Sequence, residues 1–320
     1  MRSNSHERPI LSIQNLSVMF SDDVIPLRDI NLDLYAGESL VLLGESGAGK
    51  SMLCKTLFGF QQISSTMTVS GTISGNPTCA MIFQDPSQFL HPRVSIKRHL
   101  LEFLRLQQPE ISKTQAFSTM IELLLQVELP ASKAFLARKT GELSGGQQQR
   151  VMIALALSQK PQLLLADEPV TALDTRTKQR ILELLQKLQQ ELGLSILFVT
   201  HDLSAAKQIA HRIVVLYAGR ILEVFHGQEF FSQPHHPYSR ALIDAHPGPE
   251  HHHQPLFEIP GSMPLPNESI SGCIFAPRCG YAKEICSKLS PHLEPTDQEN
   301  LVACHMVTNK DLWERANERS

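Results

Sequence analysis

The stretch Gly44-Glu45-Ser46-Gly47-Ala48-Gly49-Lys50-Ser51 fits GxxxxGK[ST] and constrains this chain more than any other feature. Before it runs Leu40-Val41-Leu42-Leu43, a short apolar segment of the kind buried on both faces of a sheet. A helical pattern starts at Lys50. A strand that passes through a glycine-rich turn into a helix points its backbone N–H groups at one spot and sets the positive end of the helix dipole under it. That spot suits a phosphate. The glycines permit close approach, Lys50 brings charge to the β- and γ-phosphates, and the Ser51 hydroxyl can ligand Mg²⁺.

The other patterns agree with an α/β chain. Ile30, Leu32 and Leu34 alternate with Asn31 and Asp33, so residues 10–43 read as β-structure. Residues 84–150 read as mostly helical. The apolar runs 163–166 and 196–199 flank Ile181, Leu184, Leu185 and Leu188 at helical spacing, which is the βαβ signature of a parallel sheet. A hairpin is predicted over 213–225, turning at Ala218-Gly219. The first of those runs ends in Asp167-Glu168. Ligands of α/β sheets bind at the C-terminal ends of strands. Asp167 is therefore expected in the Mg²⁺ shell, and Glu168 as a general base on an attacking water.

Composition narrows the class. Of 320 residues, 42% are hydrophobic and 19% charged, as in ordinary globular proteins. A net charge of −3 gives no general attraction to nucleic acid. No apolar run approaches the roughly 18 residues of a membrane span. The N-terminus lacks the apolar core of a secretory signal, so a cytosolic chain is expected. After about residue 232, Pro234, Pro237, Pro247, Pro249, Pro255, Pro260, Pro264 and Pro266 interrupt the periodicity, which predicts a linker and a small separate module. That region holds Cys273, Cys279, Cys286 and Cys304, spaced C-x5-C-x6-C-x17-C. In a reducing compartment, clustered cysteines bind metal more often than they form disulfides. Thiolates suit an Fe–S cluster or Zn²⁺, and gaps wider than the C-x2-C of zinc ribbons fit zinc less well. Cys54 and Cys79 read as small core or loop residues, and His251-His252-His253 as a solvated loop rather than a nickel site.

Leu143-Ser144-Gly145-Gly146-Gln147, lying between the phosphate loop and the acidic pair, resembles the signature of ABC-type ATPases. Other family positions follow in order. Gln84 in Ile82-Phe83-Gln84-Asp85-Pro86 resembles the Q-loop glutamine, Thr171-Ala172-Leu173-Asp174 the D-loop, and His201 the switch histidine. Phe20 stands where the family places an aromatic residue that stacks on adenine. The resemblance implies a P-loop NTPase fold over 8–232: a RecA-like parallel-sheet core, an antiparallel β subdomain and a helical subdomain at about 85–150. It also implies that two ATPase subunits face each other head to tail. Each ATP would then be held by Gly44 to Ser51, Asp167 and Gln84, with Ser51, Gln84 and Asp167 around Mg²⁺. Glu168 would activate water and His201 would contact the γ-phosphate. Ser144, Gly145, Gly146 and Gln147, with Asp174, would complete the partner's site.

The tail narrows the resemblance. His236-Pro237-Tyr238-Ser239, Ile259-Pro260-Gly261-Ser262-Met263-Pro264 and Cys273-Ile274-Phe275-Ala276-Pro277-Arg278-Cys279 resemble the C-terminal extension of oligopeptide/dipeptide importer ATPases, here residues 233–320. Nickel-importing relatives share the ATPase part. This implies a subunit at the cytoplasmic membrane face, peripheral through two permease subunits, paired with a second, related ATPase, and served indirectly by an extracytoplasmic binding protein. It also implies a [4Fe-4S] cluster on the four cysteines, with zinc as the alternative. The cargo, peptide or nickel, stays open. Val170 departs from the usual Thr after Glu168-Pro169, at a side chain that is not a phosphate ligand. A soluble, non-transport ABC ATPase is a further reading, but such chains tend to carry tandem ATPase domains or a long coiled-coil insertion, and neither is present. A degenerate, non-hydrolysing subunit would lack some of Lys50, Asp167, Glu168 and His201, and all four are present.

Overall fold

Apolar runs become strands and 3.6-residue patterns become helices in the computed structural model, which describes residues 8–62, 64, 66–246, 258–268, 270–296 and 300–308. In chain order the strands are β1 (Leu11–Phe20), β2 (Leu27–Leu34), β3 (Ser39–Leu43), β4 (Met67–Ser74), β5 (Cys79–Ile82), β6 (Leu163–Asp167), β7 (Ser195–Thr200), β8 (Arg212–Tyr217), β9 (Arg220–His226), β10 (Glu294–Pro295) and β11 (Leu301–Val302). The helices that bear on the site are α1 (Lys50–Phe58), α2 (Ile96–Gln107), α3 (Lys113–Gln126), α4 (Lys133–Ala137), α5 (Gly145–Leu157), α6 (Thr175–Leu192), α7 (Leu203–Ile209) and α8 (Pro237–Asp244). The chain divides into two compact units, one of Met1–Leu11, Leu34–Ser39 and Gly75–Val199, the other of Ser12–Asp33, Leu40–Ser74 and Thr200–Ser320.

In the first unit β5, β6 and β7 run parallel, with Ala80 opposite Leu164 and Leu164 opposite Ile196. Every residue of β6 and β7 is buried, which is why both read as unbroken apolar runs. The crossover helix α6 buries Ile181, Leu182, Leu184, Leu185 and Leu188 and leaves its charged residues outward. The helical stretch predicted over 84–150 is α2 to α5. Its helices start at serine caps: Ser95 on α2, Ser112 on α3 and Ser132 on α4 each accept a backbone N–H of the first turn. Helices α2, α3 and α5 pack together, and α5 also packs on β5.

In the second unit β2, β1 and β4 form one sheet, with Val18 opposite Val69 in the antiparallel β1–β4 pair. β3 lies parallel to β8, with Val41 opposite Ile213. The predicted hairpin is present as β8–β9. Ala218 (φ 44°) and Gly219 (φ 80°) at its tip both take the left-handed conformation that two-residue hairpin turns need.

The tail adds two short strands beside β9. β11 pairs antiparallel with β9, Val302 opposite Glu223, and β10 pairs with β11. A two-residue strand leaves no periodicity to read, but it occupies the open edge of β9, which would otherwise be unpaired. The fully buried carboxylate of Glu223 accepts the N–H groups of His235 (2.7 Å) and His236 (3.2 Å) and so fixes the start of α8. Burial raises the Glu223 pKa. His251-His252-His253 lie outside the described residues. No helix among the described residues is long and apolar enough to cross a membrane.

Two leucines test this packing. Leu197 in β7 is fully buried, whereas Leu106 on α2 is 80% exposed. Leu197→Ala is expected to cost about 2–5 kcal/mol. Leu106→Ala should stay within about 0.5 kcal/mol. Urea midpoints of the two variants check the contrast.

Candidate nucleotide-binding site

The loop after β3 is shaped by positions where a side chain has no room. Gly44 (φ 155°) and Gly49 (φ 105°) take backbone conformations that L-residues rarely adopt. A Cβ on Gly44 would lie 2.2 Å from the Leu216 carbonyl oxygen, and one on Gly49 2.5 Å from that of Pro26. With both glycines in place, the chain turns tightly from β3 into α1. Ala48 is fully buried, and its carbonyl accepts the Gly219 N–H at 2.9 Å. Lys50 is buried, and its Nζ donates to the carbonyls of Gly44 and Glu45, both at 2.9 Å. The lysine is thus folded back over its own loop. Ser46 and Gly47 are exposed, and Ser51 is half-buried at the first turn of α1. This loop can receive an anion through its N–H groups and the ammonium.

Glu45 is held from outside the loop. Arg278 Nη1 and Nη2 donate to its Oε2 and Oε1 at 2.7 and 3.1 Å, and Tyr238 Oη accepts its backbone N–H at 2.9 Å. Pairing with Glu45 raises the Arg278 pKa. Phe20 ends β1, half-buried, where its N–H donates to the Val24 carbonyl. His201 is exposed on the turn from β7 into α7, and Asp202 beside it caps that helix.

In the first unit the acidic pair ends β6. Asp167 is buried. Glu168 has left the strand and sits at φ 47°, a strained conformation for a non-glycine residue and one that clusters at functional sites. Its N–H donates to the Val199 carbonyl at 3.0 Å, which pins the strained residue to the end of β7. Gln84 Nε2 donates to Glu168 Oε2 at 3.2 Å and Thr171 Oγ1 to the same oxygen at 3.0 Å. The fold thus joins two predicted site residues, Gln84 and Glu168, that are far apart in sequence. Such a carboxylate is oriented from two sides. Val170 is buried as a core residue.

The Leu143–Gln147 segment is a helix start. Ser144 caps α5, its Oγ accepting the Gln147 N–H at 3.3 Å while Gln147 Oε1 accepts the Ser144 N–H at 3.2 Å. Gly145 and Gly146 form the first turn, whose N–H groups can meet an anion. A Cβ on Gly146 would lie 2.5 Å from Thr177 Cγ2, so the glycine permits contact with α6. Asp174 caps α6, accepting the N–H groups of Arg176 and Thr177 at 3.1 and 3.0 Å. Hydrogen bonds from Thr177 hold its carboxyl below the usual range.

The four tail cysteines line one cavity, with His236 and His305. Burial, with neighbouring cysteines adding, pushes Cys273 up to about 11 and Cys304 up to about 12, and burial raises Cys279. Desolvation lowers His236 to about 3, so its ring is neutral. His305 Nε2 meets the Leu289 carbonyl at 2.9 Å, but its buried Nδ1 has no partner among the described residues. Among the described residues, no three His, Cys, Asp or Glu side chains meet closely enough to hold a metal ion. Cys54 is buried in α1 and Cys79 half-buried in β5.

Sequence reasoning missed Thr171 as a partner of Glu168, and Arg278 and Tyr238 as partners of Glu45. An arginine set between two cysteines, with no acid nearby in sequence, was the available signal.

Comparison with known proteins agrees with this geometry. The model of the ABC transporter family matches residues 27–171, and that of the oligopeptide/dipeptide transporter C-terminal region matches 222–286. The chain is 37% identical over 313 residues to the oligopeptide transport ATP-binding protein OppD of Escherichia coli, covering 92% of each. It is 36% identical over 320 residues to OppD of Haemophilus influenzae, covering 94% of this chain and 98% of the relative. Among solved structures, cbiO1 of Clostridium perfringens, part of the ABC transporter complex cbiONQ, superposes with a TM-score of 0.62 at 26% identity over 71% of this chain and 92% of that one. The ATP-binding cassette MJ0796, as a dimer bound to ADP and Pi in a post-hydrolysis state, superposes with a TM-score of 0.57 at 27% identity, covering 68% and 98%. This chain belongs to the ABC-transporter ATP-binding proteins, in the branch that carries the oligopeptide/dipeptide transporter C-terminal region.

Proposed function

We propose that the chain is the ATP-hydrolysing subunit of an importer for di- or oligopeptides. The observation that carries the chemistry is Glu168, strained at the end of a buried strand and oriented by Gln84 and Thr171. The relatives named for oligopeptide transport, matched along nearly the whole chain, support peptides over nickel as cargo.

In this reading the Gly44–Ser51 loop binds the phosphates through its N–H groups and Lys50, and Phe20 offers its ring to the base. Ser51, Asp167 and Gln84 would hold Mg²⁺. The ion, when bound, neutralises charge on the phosphate oxygens. Glu168 takes a proton from the attacking water, and His201 contacts the γ-phosphate. Positioning and electrostatics supply most of the rate in such phosphoryl transfer. The capped start of α5, Ser144 to Gln147, serves the site of a second ATPase subunit, and Asp174 belongs to the same face. We favour a related but different chain as that subunit. Two permease subunits hold the pair at the cytoplasmic face of the membrane, and a binding protein on the other side delivers the peptide.

The tail cavity suits a [4Fe-4S] cluster on Cys273, Cys279, Cys286 and Cys304. Four soft donors line one cavity, and thiolates are the ligands that the irons of such a cluster take. When bound, it would cross-link a tail with little apolar core of its own.

Three outcomes are expected. In the complex assembled with permease subunits, Glu168→Gln should keep ATP affinity and lose at least about 100-fold in turnover, with peptide uptake lost alongside. Full hydrolysis by this variant would remove Glu168 from its role. Gly49→Ala, strained and clashing with the Pro26 carbonyl, should weaken binding of a fluorescent ATP analogue by more than about tenfold. Anaerobically purified protein should contain iron and absorb visible light, and Cys279→Ser should lose both. A colourless, iron-free anaerobic preparation would discard the cluster.

A further inference from the structure

Several parts of the tail converge on one residue of the phosphate loop. Arg278 sits in the 3₁₀ turn Ala276–Arg278, between Cys273 and Cys279. Its guanidinium forks onto Glu45 at 2.7 and 3.1 Å, while Nε donates to the Pro260 carbonyl at 2.8 Å and Nη2 to the Ile259 carbonyl at 3.3 Å. Tyr238 Oη accepts the Glu45 N–H at 2.9 Å. Met263 approaches the next glycine: a Cβ on Gly47 would lie 3.1 Å from its Cε. Arg278 and Tyr238 are both buried.

The charge at Glu45 makes this more than a staple. The loop's N–H groups and Lys50 suit an anion, yet its second residue is a carboxylate. The carbonyl of that same Glu45 also accepts Lys50 Nζ at 2.9 Å. An unpaired carboxylate there would repel phosphate and compete for the ammonium. A fork of two charge-assisted hydrogen bonds cancels its charge and fixes its direction. Tyr238 fixes the backbone of the same residue from the other end of the tail.

We propose that Arg278 is a positioning residue for nucleotide binding: through Glu45 it neutralises and shapes the phosphate loop, so the fold of the tail sets nucleotide affinity. This rests on the nucleotide reading of Gly44–Ser51. It carries a sign that a packing role lacks. Loss of Arg278 leaves a bare negative charge at the loop, whereas loss of the Glu45 carboxylate leaves a positive one.

The test is equilibrium binding of a fluorescent ATP analogue to the full chain, with thermal melting alongside. Arg278→Gln should weaken binding about tenfold or more. Glu45→Gln should bind at least as tightly as wild type, and Glu45→Gln combined with Arg278→Gln should return to within about threefold of it. Equal losses from both single variants, or an unchanged affinity in a folded Arg278→Gln protein, would overturn the proposal. Should Arg278→Gln not fold, Glu45→Gln carries the test, because it removes the carboxylate and leaves Arg278 in place. Binding at least as tight as wild type supports the proposal, and a several-fold loss sinks it. Lys50→Ala separates the two readings. If it binds normally, the nucleotide assignment of the loop fails. If it loses binding while Arg278→Gln does not, the tail's role alone fails.

Discussion

The turn from β3 into α1 has no space for a side chain at Gly44 or Gly49, because the carbonyl oxygens of Leu216 and Pro26 already occupy it. Much of the second unit follows from that crowding. β8 must lie beside β3 to present Leu216, and the β8–β9 hairpin must close tightly for Gly219 to donate to Ala48. Lys50 can fold back onto Gly44 and Glu45 only because the loop is this compact. A loop so short of atoms on one side is held by atoms from elsewhere, and the tail supplies them through Tyr238 and Arg278.

The first unit solves a related problem at the end of β6. A fully buried strand must release a carboxylate usable by solvent. It does so by breaking extended geometry at Glu168, which sits at positive φ with its N–H tied to Val199. Gln84 and Thr171 then orient the freed side chain. Such strain persists only where neighbours over-determine it. Here the neighbours are two strands and a threonine three residues on.

Much of this was legible beforehand. The phosphate loop, the acidic pair, the helical stretch, the crossover helix and the β8–β9 turn all depend on residues near one another in sequence. Local patterns report such features because local sterics and capping produce them. The attachment of the tail is illegible for the opposite reason. It depends on a two-residue strand, a fully buried glutamate and an arginine fork, and none of these has a periodic signature. The Arg278–Glu45 pair is a fork of two charge-assisted hydrogen bonds, and such pairing across hundreds of residues leaves no mark in the sequence.

By itself, the sequence determined the chemistry available. It holds a phosphate loop with lysine, a strand ending in two carboxylates, a capped glycine-rich helix start and four thiols in the tail. Spacing alone is enough to specify the first three, since each is assembled from residues within a few turns or one strand. Only the tertiary structure decided which groups act together: Gln84 and Thr171 on Glu168, Arg278 and Tyr238 on Glu45, and four cysteines on one cavity. Those partnerships close loops of up to hundreds of residues. They form where burial leaves a charge or an N–H group no water to turn to, and that is a property of packing rather than of order along the chain.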